Sequence, residues 1–298
     1  MTRRGWLLFV ALGIIWGLPY LLIRVSVREI SPELLVFIRT GGAALVLAPV
    51  AAARGELRPA LERWRPILLY SVVELAVPWL LLFSAEKRLS SSVSGLLIAT
   101  VPLFAAMLAW MSRSERVDAQ RLVGLGVGIA GVAAIVGFDV RSSGLLDVFA
   151  LFVTAFGYAL GPWIFARHLA RVPPLGAVAL SFAFCAVAYL PSTWFSSPHR
   201  ALSASVVESL VTLTLVCTVG AFLIFPALIA EIGAMRATLV TYVNPAVAVL
   251  LGVGALKEHF GVATGVGFVL ILAGCILASR PARDRQAVPR PLPPATEP

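Results

Sequence analysis

The chain has 298 residues, of which 59% are apolar and 13% charged, and its mean hydropathy is +0.93. This balance leaves little room for a separate soluble domain and places the chain in the integral-membrane class. The net charge of +9 does not imply a nucleic-acid partner, because the Lys and Arg residues sit mostly in short loops between apolar runs, where they orient a membrane protein.

Arg3 and Arg4 precede an apolar run that begins at Trp6. No small-x-small cleavage site follows and the run continues through Ile23, so the segment reads as an uncleaved first span. About 20 mostly apolar residues cross ~30 Å of hydrocarbon. By that length ten helices are predicted, at residues 6–26, 34–53, 66–85, 91–112, 119–138, 145–167, 174–195, 207–230, 236–256 and 261–279. The connections are short, the longest running from Arg54 to Arg65, and the Pro- and Arg-rich tail from Arg280 is expected to be disordered. Lipid cannot satisfy the amides of an open sheet. Runs that are apolar on consecutive residues lack the alternation of a barrel. The expected fold is therefore an all-α membrane protein. Sixteen of the 24 Lys and Arg fall on the side that holds the N-terminus and seven on the other, with Arg39 inside a span. That bias places both termini in the cytoplasm of a cell (plasma or inner) membrane.

The second half of the chain repeats the first at an offset of 143 residues. Pro19 falls on Pro162, Arg24 on Arg167, Pro102 on Pro245, Glu115 on Glu258, Gly124 on Gly267 and Gly131 on Gly274. Five spans per copy is an odd number, so the copies are expected to sit upside down relative to one another. Such proteins are typically carriers with a substrate site at the pseudo-symmetric midplane. The expected partition is a first repeat over 1–138, a second over 139–279 and a cytoplasmic tail over 280–298.

Four prolines lie well inside spans: Pro19, Pro78, Pro102 and Pro245. Each removes a backbone donor and frees a carbonyl, which a bilayer tolerates only where protein or a water-filled cavity meets it. Taken singly, each is as well explained by a packing kink. Pro102 and Pro245 at equivalent positions suggest two symmetry-related bends facing one cavity. Glycines recur four residues apart at Gly13 and Gly17, Gly124 and Gly128, Gly157 and Gly161, and Gly261 and Gly265, spacing that permits close helix approach. The fifth and tenth helices are expected to form a support or a dimer face and not the substrate pathway.

Charges within a span cost about 2.5–3.5 kcal/mol each on insertion scales, and two stand out, Arg39 and Glu74. Helix rise places them ~10 Å apart in depth, within reach of a buried ion pair. The alternative is that Arg39 meets an anionic group while Glu74 takes a cation or a proton. Trp16, Tyr20, Trp79, Tyr158 and Tyr242 lie deep or beside Pro and Gly, where they suit a cavity for organic or cationic solutes. Asn244 adds an amide at the Pro245 bend. Trp6, Trp64, Trp110 and Trp194 fit interfacial anchoring. Glu115 and Glu258, just past two equivalent spans, suggest a loop cap or ion pair. Cys185, Cys217 and Cys275 read as packed, unpaired thiols, and His168, His199 and His259 as solvated loop residues, so neither a metal site nor a cofactor is expected.

These landmarks resemble the drug/metabolite transporter superfamily, in particular its ten-span EamA family. The likeness is carried by Trp16-Gly17-x-Pro19, by Arg39 in Phe-Ile-Arg-x-Gly-Gly, and by Thr100-Val101-Pro102-Leu103-Phe104. In the second copy it is carried by Tyr242-Val243-Asn244-Pro245 followed by Glu258. Lys257 stands where the family often has Gly, and Phe182 stands at the repeat position of Arg39. The resemblance implies two inverted five-helix EamA repeats around a central cavity and the export of small metabolites, such as amino acids, or drugs. The expected partners are a small-molecule substrate, the lipid bilayer and, as options, a coupled proton and a second copy of the chain. A membrane-embedded enzyme acting on a lipid-soluble substrate is the competing class. It would need clustered His, Asp or Glu in or beside the spans, and by sequence only Glu74 lies deep.

Overall fold

The computed structural model describes residues 2–111, 119–139, 144–196, 200–233, 237–259 and 261–279, and every regular element among them is helical. The first half holds α1 (Arg3–Ser26), α2 (Pro32–Ala53), α3 (Leu57–Glu62), α4 (Trp64–Tyr70), α5 (Val77–Ala85), α6 (Ser91–Ile98), α7 (Val101–Met111) and α8 (Ala119–Asp139). The second half holds α9 (Leu145–His168), α10 (Pro174–Tyr189), α11 (Ser192–Phe195), α12 (Ala204–Val211), α13 (Ala221–Ile232), α14 (Asn244–Leu256) and α15 (Val262–Ser279). Local chemistry sets several starts. Ser31 accepts from the Leu34 N–H ahead of α2 with Pro32 at its first position, and Ser90 accepts from the Val93 N–H ahead of α6.

Six helical stretches are long and apolar enough to cross a bilayer: Arg3–Ser26, Pro32–Ala53, Trp64–Ala85, Ser91–Met111, Leu145–His168 and Ala204–Ile232. Shorter apolar helices cover Leu122–Val136, Pro174–Tyr189, Val240–Leu256 and Val262–Ala278. The protein is thus an all-helical, multi-pass membrane protein. The predicted tail from Arg280, together with Glu115 and His199, lies outside the described residues.

Several predicted spans are not single α-helices. The span expected over 174–195 breaks after Tyr189 although its mate α2 does not, and the other departures form two equivalent pairs. The segments Ser71–Ala76 and Thr212–Gly220 are wound as π-helix, the first joining α4 to α5 and the second α12 to α13. An offset of 143 carries the first onto 214–219, inside the second. The Thr218 hydroxyl donates to the Leu213 carbonyl five residues back, at 2.8 Å, matching the wider winding. The second pair of breaks precedes Pro102 and Pro245. Between α6 and α7 the chain turns at Ala99–Thr100, where the Thr100 hydroxyl donates to the Leu97 carbonyl at 2.6 Å. Ahead of α14 the chain is a 3-10 helix over Thr238–Tyr242. A proline's missing N–H lets the helix change winding there with no extra lost bond.

The halves meet where glycine lets backbones touch. A Cβ added at Gly124 would come within 2.6 Å of the Ala278 amide and 2.8 Å of the Gly274 carbonyl. One added at Gly131 would lie 2.8 Å from both the Gly267 carbonyl and the Ile271 amide. These contacts are reciprocal, because the mates of Gly124 and Gly274 are Gly267 and Gly131. The pairing also fixes direction: as α8 advances from Gly124 to Gly131, its partner on α15 retreats from Gly274 to Gly267. The fifth and tenth predicted helices therefore spend their small-residue face on each other, which supports the first alternative for them and removes that face from a dimer. Mates α2 and α10 also pack together; α1 packs on α14 through Gly17, while its Gly13 meets Val240 and Val243 just ahead of α14.

Candidate functional site

A cavity of about 510 Å³ lies between the halves. Seven of the eight residues singled out in the sequence line it: Trp16, Tyr20, Arg39, Glu74, Trp79, Tyr158 and Asn244. The eighth, Tyr242, does not; its hydroxyl donates to the Cys275 carbonyl at 3.3 Å, and its neighbour Thr241 faces the cavity. Pro19, Pro102 and Pro245 line the space, joined by Pro162, the mate of Pro19. Pro78 is buried instead at the start of α5, against Gly157. Tyr70, Cys217, Thr218, Phe222 and Phe225 also contribute to the lining. Their signal in the sequence was weak, because each reads as an ordinary apolar or small span residue.

Arg39 does not pair with Glu74. Its Nε donates to the Thr218 hydroxyl at 2.9 Å, and its guanidinium lies 3.9 Å from the centre of the Trp79 ring. Arg39 keeps only 7% of its surface exposed, so both contacts act where water competes little; a desolvated cation–π contact is worth about 2 kcal/mol. The acceptor is supplied by the π-wound part of the second half. The offset adds a comparison: Phe182 and Phe222 hold the repeat positions of Arg39 and Trp79, and their rings pack edge-to-face at 5.5 Å. The same pair of positions thus carries cation on aromatic in one half and aromatic on aromatic in the other.

Glu74 sits within the first π segment, and its side chain lies directly over Gly161, where any Cβ would overlap the carboxylate. Its Oε2 is buried with no hydrogen-bond partner among the described residues, and the same holds for Oδ1 of Asn244. A buried acceptor left unpaired costs about 1–3 kcal/mol. Two such acceptors in one cavity mark it as a place for a solute, water or proton that brings donors.

Exposure along the lining is uneven: Ile23, Leu82 and Tyr20 are buried, as is Tyr70, whereas Pro162 and Thr241 are exposed. Three contacts join the halves beyond Ile23 and Leu82. The Glu258 carboxylate accepts from the amide and hydroxyl of Ser91 and of Ser92, at 2.6–3.0 Å, capping α6. This is the loop cap expected of it. Arg88 forms a two-pronged ion pair with Asp147 at 2.5 and 2.6 Å, and Glu29 accepts from the amide and hydroxyl of Ser203. Glu86 lies at the same end. It falls in a loop by sequence, yet it is fully buried. The three cysteines are buried and free, as expected of packed thiols.

An all-helical membrane bundle with a polar-studded central cavity and internally repeated architecture defines the transporter class in outline. The EamA-like transporter family model matches residues 3–137 and again 145–280. The chain belongs to the EamA-like transporter family, within the drug/metabolite transporter superfamily. It is 22% identical to an uncharacterized transporter of Archaeoglobus fulgidus, over 94% of this chain and 98% of that one. It is 29% identical to the uncharacterized inner membrane transporter YedA of Escherichia coli K12, over 82% and 80%. A crystal structure matches with a TM-score of 0.65 at 20% identity, covering 94% of this chain and 97% of the other, which shows the fold alone.

Proposed function

We propose that the protein is a ten-span carrier of two oppositely inserted five-helix halves, both termini cytoplasmic, which exports a small metabolite or drug by alternating access. The observation that carries this reading is the cavity itself. It holds one guanidinium, Arg39, and two buried acceptors without partners, Glu74 and Asn244, among aromatic walls. That set suits a compact solute bearing an amine and an anionic group, such as an amino acid, or an aromatic cation. The antiparallel, reciprocal crossing of α8 and α15 supports the inverted arrangement, and the uneven exposure of the lining supports a passage open to one side at a time.

Glu74 is the residue to take a proton or the cationic end of the solute. The test is reconstitution in liposomes, following uptake of amino acids and cationic drugs with and without a pH gradient. Glu74→Gln is expected to abolish proton-linked transport while the protein still inserts. Unchanged pH dependence in that variant removes Glu74 from the mechanism.

A further inference from the structure

Glu86 follows the last residue of α5 and begins the loop to α6. A loop carboxylate is ordinarily solvated, but this side chain has no exposed surface, and neither of its oxygens has a hydrogen-bond partner among the described residues. The charged and titratable groups facing it come from both halves. From α1 come Arg24 and Tyr20, from α2 Arg39, from α9 Tyr158, and from the loop after α14 Glu258.

None of these neutralises the carboxylate in the conformation described. Arg24 donates from Nη1 to the main-chain carbonyl of Glu86 and not to its side chain. Arg39 is occupied by Thr218 and Trp79. Arg88, two residues on, is committed to Asp147, and Lys87 is exposed. Glu258 is itself an acceptor already filled by Ser91 and Ser92, and a second negative charge beside Glu86 opposes ionisation. An ion held this way costs several kcal/mol, and taking up one proton removes that cost. Among the described residues, the other buried carboxylate at this end, Asp147, is paired.

We propose that Glu86 is a proton-binding site at the end of the passage beyond Ile23 and Leu82, occupied in the conformation described and emptied when that end opens. Opening admits water and lets Arg24 exchange the main-chain carbonyl for the carboxylate. The proton then leaves the carboxyl oxygen for water on that side. The site is distinct from Glu74, which lies along the cavity wall. The holding of the proton stands on the burial of Glu86 alone; its use in coupling rests on the transport reading above.

Infrared difference spectroscopy of the full chain in lipid nanodiscs tests the first point without any solute. At neutral pH a component of the carbonyl stretch of protonated carboxylic acids is expected in the wild type and lost in Glu86→Gln, while any component from Glu74 stays and is removed by Glu74→Gln. An unchanged band in Glu86→Gln overturns the proposal. Titrating that band gives a second test should Glu86→Gln fail to insert. Removing the negative charge in Glu258→Gln lowers its midpoint, and removing the positive charge in Arg24→Gln raises it. Shifts of the opposite sign, or none, overturn the proposal. In liposomes the ratio of uptake with a pH gradient to uptake without one is expected to fall about tenfold in Glu86→Gln, a loss of ~1.4 kcal/mol of coupling. An unchanged ratio overturns the coupling role. A wild-type chain that moves no solute sinks the transport reading instead, and the infrared result still decides whether Glu86 holds a proton.

Discussion

Replacing Gly274 by Ala tests the claim that backbone contact between α8 and α15 joins the two halves. The new methyl would lie 2.6 Å from the Gly124 carbonyl and 2.7 Å from the Gly128 Cα. Ordinary contact needs ~3.5–4.0 Å, so the helices must part by about 1 Å. Neither obstacle can rotate away, because both belong to a helix backbone. Overpacking of this kind costs about 1–3 kcal/mol, while Ala gains about 0.8–1 kcal/mol over Gly in helix propensity. The expected net loss is therefore about 0–2 kcal/mol, which leaves Gly274→Ala about 1–3 kcal/mol below a substitution that gains propensity without overpacking. Gly126 is the control, since a Cβ there meets nothing within 4 Å, and Gly126→Ala is expected to gain about 1 kcal/mol. Gly131→Ala should fall with Gly274→Ala, because the two sites exchange under the repeat. Unfolding in mixed micelles with added sodium dodecyl sulfate, followed by tryptophan fluorescence, measures all three. A Gly274→Ala protein as stable as Gly126→Ala refutes the reasoning.

Glu258→Gln replaces a carboxylate that takes four hydrogen bonds. Charge-assisted bonds at a helix N-terminus are the strong ones, and a loss of about 2 kcal/mol is expected, read as faster amide exchange in the first turn of α6. Arg39→Lys keeps the charge but cannot both stack on Trp79 and bond Thr218 as the planar guanidinium does. A loss of about 2 kcal/mol is expected, appearing as a ~30-fold fall in uptake by a protein that still inserts. Hydrogen bonds from Ser203 hold the Glu29 carboxyl below the usual carboxylate range. Because the folded value is the lower one, this contact contributes above the ordinary carboxylate pKa and is lost as pH falls through the lowered value. Amide exchange over 27–31 is thus expected to quicken in acid, and Ser203→Ala to remove that dependence.

The sequence made most of the scaffold legible because lipid imposes length and backbone pairing imposes helix. The repeat exposed Gly124, Gly131, Gly267 and Gly274 as special, although not that they would meet each other. Depth along a helix was readable from rise per residue, but direction around the axis was not. That is why Arg39 was placed within reach of Glu74 yet turns to Thr218 and Trp79. At Tyr242 the cause is winding: the 3-10 turn over Thr238–Tyr242 advances each residue further round the axis than an α-helix does. Thr241 then faces the cavity, and Tyr242 reaches Cys275. Glu86 was hidden for another reason. A charge at a loop start looks solvated until the segments that cover it, here from both halves, are known.

Symmetry in this molecule is kept in the backbone and dropped in the side chains that face the cavity. The π segments, the breaks before Pro102 and Pro245, and the glycine crossing all recur under the offset. Arg39 recurs as Phe182, Trp79 as Phe222, Glu74 as Cys217 and Asn244 as Val101. The division has a physical rationale. On the proposed alternating-access reading, the halves need matched hinges and a joint that both states tolerate, and matched backbones would supply these. A cavity with charge repeated on both walls would instead bury two guanidiniums and two carboxylates, each costly in the bilayer. One copy of each polar group around a single space would give a solute one preferred orientation, while the apolar mates pack beside them, Phe182 against Trp79. Restoring symmetry by Phe182→Arg should then be worse than neutral. The added guanidinium would replace a fully buried ring packed against Trp79 and Phe222, with an expected loss of at least ~3 kcal/mol. Wild-type stability in that variant, measured in the same micelle titration, would show that this position accepts charge and that the asymmetry has another origin.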